Sequence, residues 1–287
     1  MDTARHTVVL LFIFLLLLPF RVQSMETAAT LPGQELRWYS PDAGMELARL
    51  IGTKQENGTI SRRFTIRAIR FDTAQYDFKL FSSRWDGMPI PTLREWTERK
   101  QLSAAINASM FQKDGITSTG YMRRGEQTNN GRIVNSYGSF FVCSPRQSGI
   151  PLASVLDRNA DDWERLLPLY DVVIQNFRLM GPEGEQLWPE NGPTHAIAAI
   201  AEDREGRILF LHCSDPISVH DFVEALKAHS GLHLDSAMYV EGGSEASLLI
   251  NKPEGQELLN GMSPASIMLS SRGIDIPLPN ILGAVRR

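Results

Sequence analysis

Alternating hydrophobic and polar positions predict β-strands along much of this chain. Phe64, Ile66 and Ala68 alternate with polar residues, and Phe78 and Leu80 do the same, so two early strands are expected. Further strand-like runs occupy residues 102–106, 139–143, 171–174, 196–201, 207–213 and 237–240. The apolar run 274–285 contains two prolines, and it is expected to form a closing edge strand because proline cannot donate to a β-ladder.

Helical signals are fewer. Residues 92–95 read Thr-Leu-Arg-Glu, which has the form of a capping box and predicts a helix to about Lys100. A short helix is expected over 159–167, stopped by Pro168, and a longer one over 218–229, ended by Gly231. Residues 112–137 show little periodicity, and since a loop of this length is usually functional or mobile, we expect it to cover the site.

The strands around the longer helix predict a β-α-β unit. A right-handed crossover places the carboxyl ends of both strands at the same sheet edge, where such units bind ligands. Asp215 and Glu241 follow those two ends and are expected to share one rim. The predicted fold class is α+β: a single domain with a mixed β-sheet core, a few helices, one β-α-β unit and β-hairpins.

The first residues are typical of a secretory signal. Basic residues precede the apolar run 8–20, and small or β-branched residues precede a cleavage point after Ser24. A membrane span needs about 20 apolar residues, and this run is shorter, so we expect segment 1–24 to be removed. The protein is then expected to be exported, periplasmic or secreted, without stable membrane insertion. An uncleaved membrane anchor is the alternative. Segment 25–40 is then a loose N-terminal leader, and 41–287 is the folded domain.

The net charge of the chain limits the classes of partner that it is expected to bind. The formal net charge of −4 gives no reason to expect nucleic acid as a partner. Cys143 and Cys213 could pair in an oxidising compartment or remain thiols within strands, since two cysteines are too few for a disulfide framework.

Two distant segments, 107–111 and 240–248, carry the strongest site pattern. Each follows a strand-like run and places small residues beside polar ones, which lets the backbone approach a ligand. Gly242 and Gly243 could form an anion-binding nest beside Glu241; a tight turn with a solvated carboxylate is the alternative. Glu245, four residues on, would complete the carboxylate pair that glycoside hydrolysis generally uses, or it is a surface acid.

Other polar residues suggest weaker candidates. Asn107 can donate and accept hydrogen bonds, as sugar recognition requires, and it also begins one of two glycosylation sequons; Asn57, in the other, is the better acceptor. Arg178 could neutralise a phosphate or be a surface cation, and Asp215 could be a turn former.

No recognised metal-binding spacing links the histidines after residue 190, which are His195, His212, His220, His229 and His233. No cofactor is predicted, and a divalent metal is not excluded.

Six segments in order resemble the phosphodiester glycosidase family over about residues 38–283. They are 105–111, 138–142, 175–179, the hairpin around 203–206, 237–243 and 278–283. The resemblance implies a hydrolase that cleaves the glycosidic bond of a sugar-1-phosphodiester, with a phosphorylated sugar or glycan as partner. The alternatives are a non-catalytic binder of envelope or capsular polysaccharide, or a metal-dependent phosphodiesterase that cuts phosphorus from oxygen.

The resemblance also implies roles for site residues. Glu241 is the key carboxylate, with Asp215 and Glu245 as further catalytic candidates, and Gly242 and Gly243 present amides to the phosphate. The remaining substrate-binding candidates are Asn107, Phe111, Gln175, Arg178, His195 and Ser247.

Three positions depart from the family pattern. Glu241 stands where the family usually has Asp, Ser109 replaces Gly, and His195 lies about where an Arg is frequent. The last change matters for phosphate binding, because a histidine is only partly charged near neutral pH and is not equivalent to an arginine clamp.

Overall fold

The computed structural model describes residues 29–87, 89–261 and 275–287. The predicted signal segment 1–24 lies outside the described residues. The strands are β1 (Tyr39–Asp42), β2 (Met45–Glu56), β3 (Thr59–Phe71), β4 (Tyr76–Ser82), β5 (Ala104–Asn107), β6 (Met122–Arg124), β7 (Gln127–Asn130), β8 (Ser139–Pro145), β9 (Ala153–Asp157), β10 (Tyr170–Asn176), β11 (Arg178–Met180), β12 (Thr194–Asp203), β13 (Ile208–Ser218), β14 (Leu234–Gly242), β15 (Ser247–Lys252), β16 (Gly255–Asn260) and β17 (Asn280–Arg286).

The helices are short. They are α1 (Ser83–Asp86), α2 (Leu93–Lys100), α3 (Trp163–Leu166) and α4 (Val219–Ala228), with 3-10 turns at Leu167–Leu169, Ser230–Leu232 and Gly243–Glu245. Within the described residues, no helix has the length and apolar character needed to cross a membrane.

Three sheets make up this α+β fold. The first has the order β1-β2-β3-β13-β12-β14-β11, the second β7-β6-β10-β8-β9, and the third β16-β15-β5-β17-β4. The main hydrophobic core joins all three sheets, as shown by the buried side chains Phe210, Phe141 and Leu248. A second core lies on the other face of the first sheet, where Phe222 of α4 packs with Leu209 and neighbouring side chains.

The predicted capping signals form. Thr92 Oγ1 accepts from Glu95 N at 3.2 Å, and Thr92 N donates to Glu95 Oε2 at 2.8 Å, which confirms the capping box. Ser218 Oγ likewise accepts from Asp221 N at 3.0 Å at the start of α4. The α4 helix ends at Ala228 and not at Gly231, which lies in the following 3-10 turn.

The predicted β-α-β unit is β13-α4-β14. Its two strands are not neighbours, because β12 lies between them and pairs antiparallel with both. The pairs of neighbouring named strands that the structure describes are antiparallel. Because β13 and β14 are both antiparallel to β12, they run in the same direction. Their carboxyl ends lie at one end of the first sheet, and this end carries the 240–248 segment.

The prediction of a closing edge strand is wrong. β17 pairs with both β5 and β4, so it is an interior strand of the third sheet. Pro277 and Pro279 precede the strand, so they remove none of the ladder donors that an interior strand needs.

Some elements extend beyond the sequence pattern. The strand β2 pairs along its length with β3, and a short β6–β7 hairpin lies within the stretch 112–137. The described part of segment 25–40 is docked, since Thr30 exchanges hydrogen bonds of 2.8 Å with Arg49 O and Ile51 N. Pro168 does not stop the preceding helix abruptly but lies within a 3-10 turn that continues it.

The two cysteines are free thiols, buried in different cores. Cys143 lies in the main core and Cys213 in the second. Burial raises the pKa of the Cys213 thiol to about 12, so it stays protonated at ordinary pH.

Candidate functional site

The candidate site forms where β14 ends. Strand β14 delivers Glu241 and Gly242, the chain turns through the 3-10 turn Gly243–Glu245, and β15 begins at Ser247. Gly243 has φ +76°, a left-handed backbone conformation that residues other than glycine rarely adopt. A tight turn thus places two carboxyl side chains four residues apart at one end of the first sheet.

Glu241 is a buried carboxyl group. It is only 7% exposed, and its Oε1 accepts a hydrogen bond of 3.0 Å from Gly242 N. The pKa of Glu241 is raised to about 8, mainly by burial; the hydrogen bond from the Gly242 amide lowers it and the negative charge of Glu245 adds to the rise. The protonated form therefore predominates at neutral pH, and the group can donate a proton.

The side chain of Asn107 stabilises this turn through hydrogen bonds to backbone groups. Its Nδ2 donates to Glu245 O at 2.9 Å, and its Oδ1 accepts from Ser247 N at 2.7 Å. Ser247 Oγ also donates to Glu245 O at 3.0 Å. Asn107 and Ser247, both buried, thus support the carboxylate turn through its backbone.

Tyr239 and His195 form a polar pair next to Gly242. Tyr239 Oη lies 3.2 Å from His195 Nε2, and burial lowers the pKa of His195, which favours the neutral imidazole. A Cβ at position 242 would collide with Tyr239 Oη and would lie 2.6 Å from His195 Cδ2. Close approach therefore requires glycine at position 242.

An apolar cavity of about 270 Å³ adjoins this pair. Its walls include Met110, Phe177 and Trp188 together with His195 and Tyr239. Met110 belongs to the first predicted segment, and Tyr239 immediately precedes the second. The two distant segments therefore meet, as the sequence pattern suggested, at one end of the first sheet.

Asp215 lies at the same end of the sheet as Glu241, but two strands away. Its Oδ2 accepts from Thr65 N of β3 at 3.1 Å, so its carboxylate faces the opposite side of β13 from β14. The structure places it beside Arg67 and His212 in a separate cavity of about 180 Å³. Asp215 and Glu241 share a sheet end without sharing a pocket.

Arg178 is held by acidic side chains. Its Nη1 lies 2.7 Å from Asp157 Oδ2 and 3.4 Å from Glu185 Oε1. Its carbonyl oxygen accepts from Trp188 Nε1 at 3.1 Å. The residue thus helps to position the cavity wall through its backbone, while its guanidinium is committed to two carboxylates.

Gln175 makes hydrogen bonds to the stretch 112–137, the loop that the sequence predicts to cover the site. Its Nε2 donates to Val134 O at 2.8 Å and Tyr137 O at 3.0 Å, and its Oε1 accepts from Val134 N at 2.9 Å. Phe111, next to cavity residue Met110, forms an isolated β-bridge with Ser118 inside the same stretch. Both residues organise the region around the site.

Tyr239, Met110 and Asn176 lie within segments that the sequence singles out, but the sequence assigns none of the three a role in the site. Asn176 Nδ2 donates to Val240 O at 3.1 Å, beside a register shift between β12 and β14. Tyr239 could have been suspected because its hydroxyl needs a partner when the strand is buried. Nothing in the local pattern of Asn176 or Met110 indicates a partner so far away in the chain.

A metal centre has no support among the residues that the structure describes. Within them, no group of three or more His, Cys, Asp or Glu side chains could hold a metal ion.

The antiparallel α+β fold and the buried carboxyl turn define a sheet-rich protein with a carboxyl-based candidate site. The family model for phosphodiester glycosidase matches residues 100–269, which contain this turn and the residues that line the cavity. The chain belongs to the phosphodiester glycosidase family.

Solved structures share the fold. A catalytic domain of zebrafish N-acetylglucosamine-1-phosphodiester alpha-N-acetylglucosaminidase, auto-inhibited by its pro-peptide, matches with a TM-score of 0.57 and 13% identity over 88% of each chain. A hypothetical protein from Synechocystis matches with a TM-score of 0.57 and 13% identity, over 88% of this chain and 64% of that one. No curated protein matches the sequence.

Proposed function

We propose that this chain is an exported hydrolase that cleaves the glycosidic bond of a sugar-1-phosphodiester, with Glu241 as the reacting carboxyl group. The single observation that carries the proposal is the burial of Glu241, which raises its pKa to about 8, on a turn within the family match. Family membership implies a sugar substrate, and the carboxyl supplies the chemistry of glycosidic cleavage.

A neutral carboxyl suits a substrate that carries negative charge. A phosphodiester is anionic, and an ionised Glu241 would repel it, whereas the protonated group donates a hydrogen bond to a phosphate oxygen. In this proposal Gly243, the first residue of the 3-10 turn, offers its amide to the same phosphate.

The proposed cleavage breaks the bond between the anomeric carbon and the phosphate oxygen. The electron pair stays on the phosphate oxygen, and Glu241 transfers its proton to the departing phosphate monoester. The second pKa of such a monoester is about 6, so the phosphate is a good leaving group, and the proton from Glu241 neutralises the charge that develops on its oxygen. Glu245 supplies a second negative charge close to the oxocarbenium-like centre.

Water completes the reaction. The oxygen of a water molecule bonds to the anomeric carbon while the Glu241 carboxylate accepts a proton from that water. This step releases the free sugar and restores the protonated Glu241. The Gly242 amide, 3.0 Å from Glu241 Oε1, stabilises the carboxylate during this interval.

The test compares Glu241→Gln with Glu126→Gln, a matched change at a carboxylate whose side chain is 99% exposed. On a panel of sugar-1-phosphodiesters, E241Q should lose roughly 10²–10⁴-fold in turnover, the usual contribution of a general acid or base, and E126Q should lose none. Reaction in ¹⁸O water should place the label in the sugar; label in the phosphate would instead indicate the phosphodiesterase reaction. Undiminished turnover by folded E241Q would refute the assignment.

One observation favours a second function, that of a polysaccharide-binding protein. Arg178 is paired with two carboxylates and His195 is held neutral, so neither candidate cation is available to clamp a phosphate. Binding on a glycan array, with no release of reducing sugar or phosphate monoester from the bound glycan, would support this function over hydrolysis.

A further inference from the structure

We propose that the cavity beside the Tyr239–His195 pair is a subsite for an apolar alkyl or aryl group, carried on the far side of the substrate's phosphate. The preferred substrates would then be sugar-1-phosphodiesters whose second ester group is apolar. This inference rests on the proposed function, and it names the class of aglycone.

The position of the cavity is the first support. Tyr239 pairs with Ala199 and Glu241 pairs with Ala198, because the register shifts between them. Ala198 belongs to the main core and Ala199 to the second core, so Tyr239 and Glu241 face opposite sides of the first sheet. Gly242, next to Glu241 in the chain, pairs with Ile197 of the second core and so faces the same side as Tyr239.

A phosphate at the glycine turn would therefore have a different environment on each side. On one side lies the Glu241 carboxyl, which we assign to the sugar. On the other side lie His195 and Tyr239, which the absent Cβ of Gly242 allows to come close. A substrate that crosses Gly242 places its second ester group at the mouth of the cavity.

The chemistry of the walls is the second support. Among the described residues, Met110, Phe177 and Trp188 present sulfur, methylene and aromatic surface to the cavity. Trp188 Nε1 already donates a hydrogen bond to Arg178 O, and Tyr239 Oη is hydrogen-bonded to His195 Nε2. A sugar placed here would lose water from its hydroxyl groups and find few partners on these walls, whereas an apolar group loses nothing.

The aromatic residues are packed against one another. The Phe177 and Trp188 rings have centroids 5.7 Å apart in an edge-to-face arrangement, and Trp188 and Tyr239 are 6.1 Å apart. Since the rings support each other, the cavity does not depend on a bound ligand for its shape. Its volume of about 270 Å³ accommodates roughly nine non-hydrogen atoms at about 30 Å³ each, the size of a phenyl ring or short alkyl chain.

Phenyl phosphate and methyl phosphate provide the test, because they share a phosphate and differ only in the apolar group. Neither contains a glycosidic bond, so the result does not depend on turnover. Isothermal titration calorimetry of the whole protein should give a Kd for phenyl phosphate at least tenfold below that for methyl phosphate. Binding of phenyl phosphate should also show the more negative heat-capacity change, as burial of apolar surface requires.

A site-specific readout comes from protein labelled with ¹³C at the methionine methyl groups. Phenyl phosphate should shift the Met110 resonance, assigned with Met110→Leu, while Met45 and Met122 in the main core remain unshifted. The titration is made on the unaltered protein, and the Met110→Leu variant serves only to assign the resonance.

A cavity-filling variant adds a functional control. Met110→Trp should bring the affinity for phenyl phosphate down to that for methyl phosphate, while Ile60→Trp, at an exposed position, should leave both affinities unchanged. Equal affinities for the two phosphates, or phenyl phosphate binding without a Met110 shift, would overturn the subsite. Loss of the Glu241 proposal would leave these binding results intact, so the two failures are distinguishable.

Discussion

Asn107 and Ser247 lie 140 positions apart in the sequence, and the Asn107 Oδ1 atom accepts a hydrogen bond of 2.7 Å from Ser247 N. The same side chain donates to Glu245 O, so one buried amide fixes the C-terminal side of the carboxylate turn. The position of Glu245 therefore depends on a residue of β5, which belongs to the third sheet.

Removal of this amide should loosen the turn. Asn107→Ala leaves Ser247 N and Glu245 O without these partners in a buried region, and it should lower the free energy of unfolding by roughly 2–4 kcal/mol. Denaturant unfolding measures the loss, and Asn135→Ala, at an exposed position, serves as the control. Equal stability of both variants would show that water or a rearranged backbone replaces the bonds.

Glu241 should make the stability of the protein depend on pH. Its pKa of about 8 in the folded state exceeds the ordinary value of 4.5, so its stabilising contribution is fully present below about pH 4.5 and is lost as the pH rises to about 8. Glu241→Gln should therefore become more stable relative to the parent between pH 5 and pH 9, by a few kcal/mol on the order expected for such a shift. Parallel pH profiles of the two proteins in chemical denaturation would contradict the raised pKa.

The same carboxyl predicts an alkaline limb in the activity. A general acid must be protonated in the free enzyme, so kcat/KM should fall above about pH 8 as Glu241 ionises. A pH–rate profile with a cleaved sugar-1-phosphodiester checks this prediction. An activity that rises through pH 8 and stays high would exclude protonated Glu241 as the reacting form.

Gly242 should tolerate no side chain. In Gly242→Ala, the new Cβ would collide with Tyr239 Oη and would displace the hydroxyl from His195. We expect a loss of roughly 1–3 kcal/mol of stability, as for overpacked sites, together with weaker substrate turnover.

A double variant and a control test the cause of that loss. Tyr239→Phe in the Gly242→Ala background removes the colliding hydroxyl and should recover part of the stability. Gly131→Ala should be nearly neutral, since its Cβ would meet only Thr128 Cγ2 at 3.6 Å. Absence of recovery in the double variant would place the strain elsewhere than at Tyr239.

Arg178 provides a test of structural pairing against phosphate binding. Arg178→Gln leaves Asp157, whose side chain is 2% exposed, without its cation, and should cost about 3–5 kcal/mol of stability in thermal or denaturant unfolding. Asp157→Asn in the same background removes the uncompensated charge and should restore much of the loss. If the stable double variant lost affinity for inorganic phosphate, Arg178 would have a binding role in addition to its pairs.

Much of the fold could be predicted because it depends on local patterns. The capping box at Thr92 formed, and the alternating runs around Phe64 and Phe78 became β3 and β4. The closing strand could not be placed in the third sheet in the same way. Its own residues show which segment is extended, whereas its neighbours β4 and β5 lie about 200 residues earlier in the chain.

The site was partly predictable for a similar reason. Glu241, Gly242 and Glu245 are close in sequence, so their local spacing predicts a shared turn. The chemistry of Asn107 predicts a sugar ligand, but its side-chain amide makes hydrogen bonds to backbone groups of the second segment. Spacing shows which groups a residue offers, and it does not show which of them the fold already uses.

The sequence by itself determined the strand-rich α+β class, the helix caps, the family and the two segments that carry the candidate site. Those features follow from short-range steric and hydrogen-bonding preferences and from ordered motifs. Only the tertiary structure decided that Glu241 is buried and protonated, that Asn107 supports it and that an apolar cavity lies across Gly242. Burial and long-range contacts set these properties, because desolvation and partner geometry arise only when distant segments pack together.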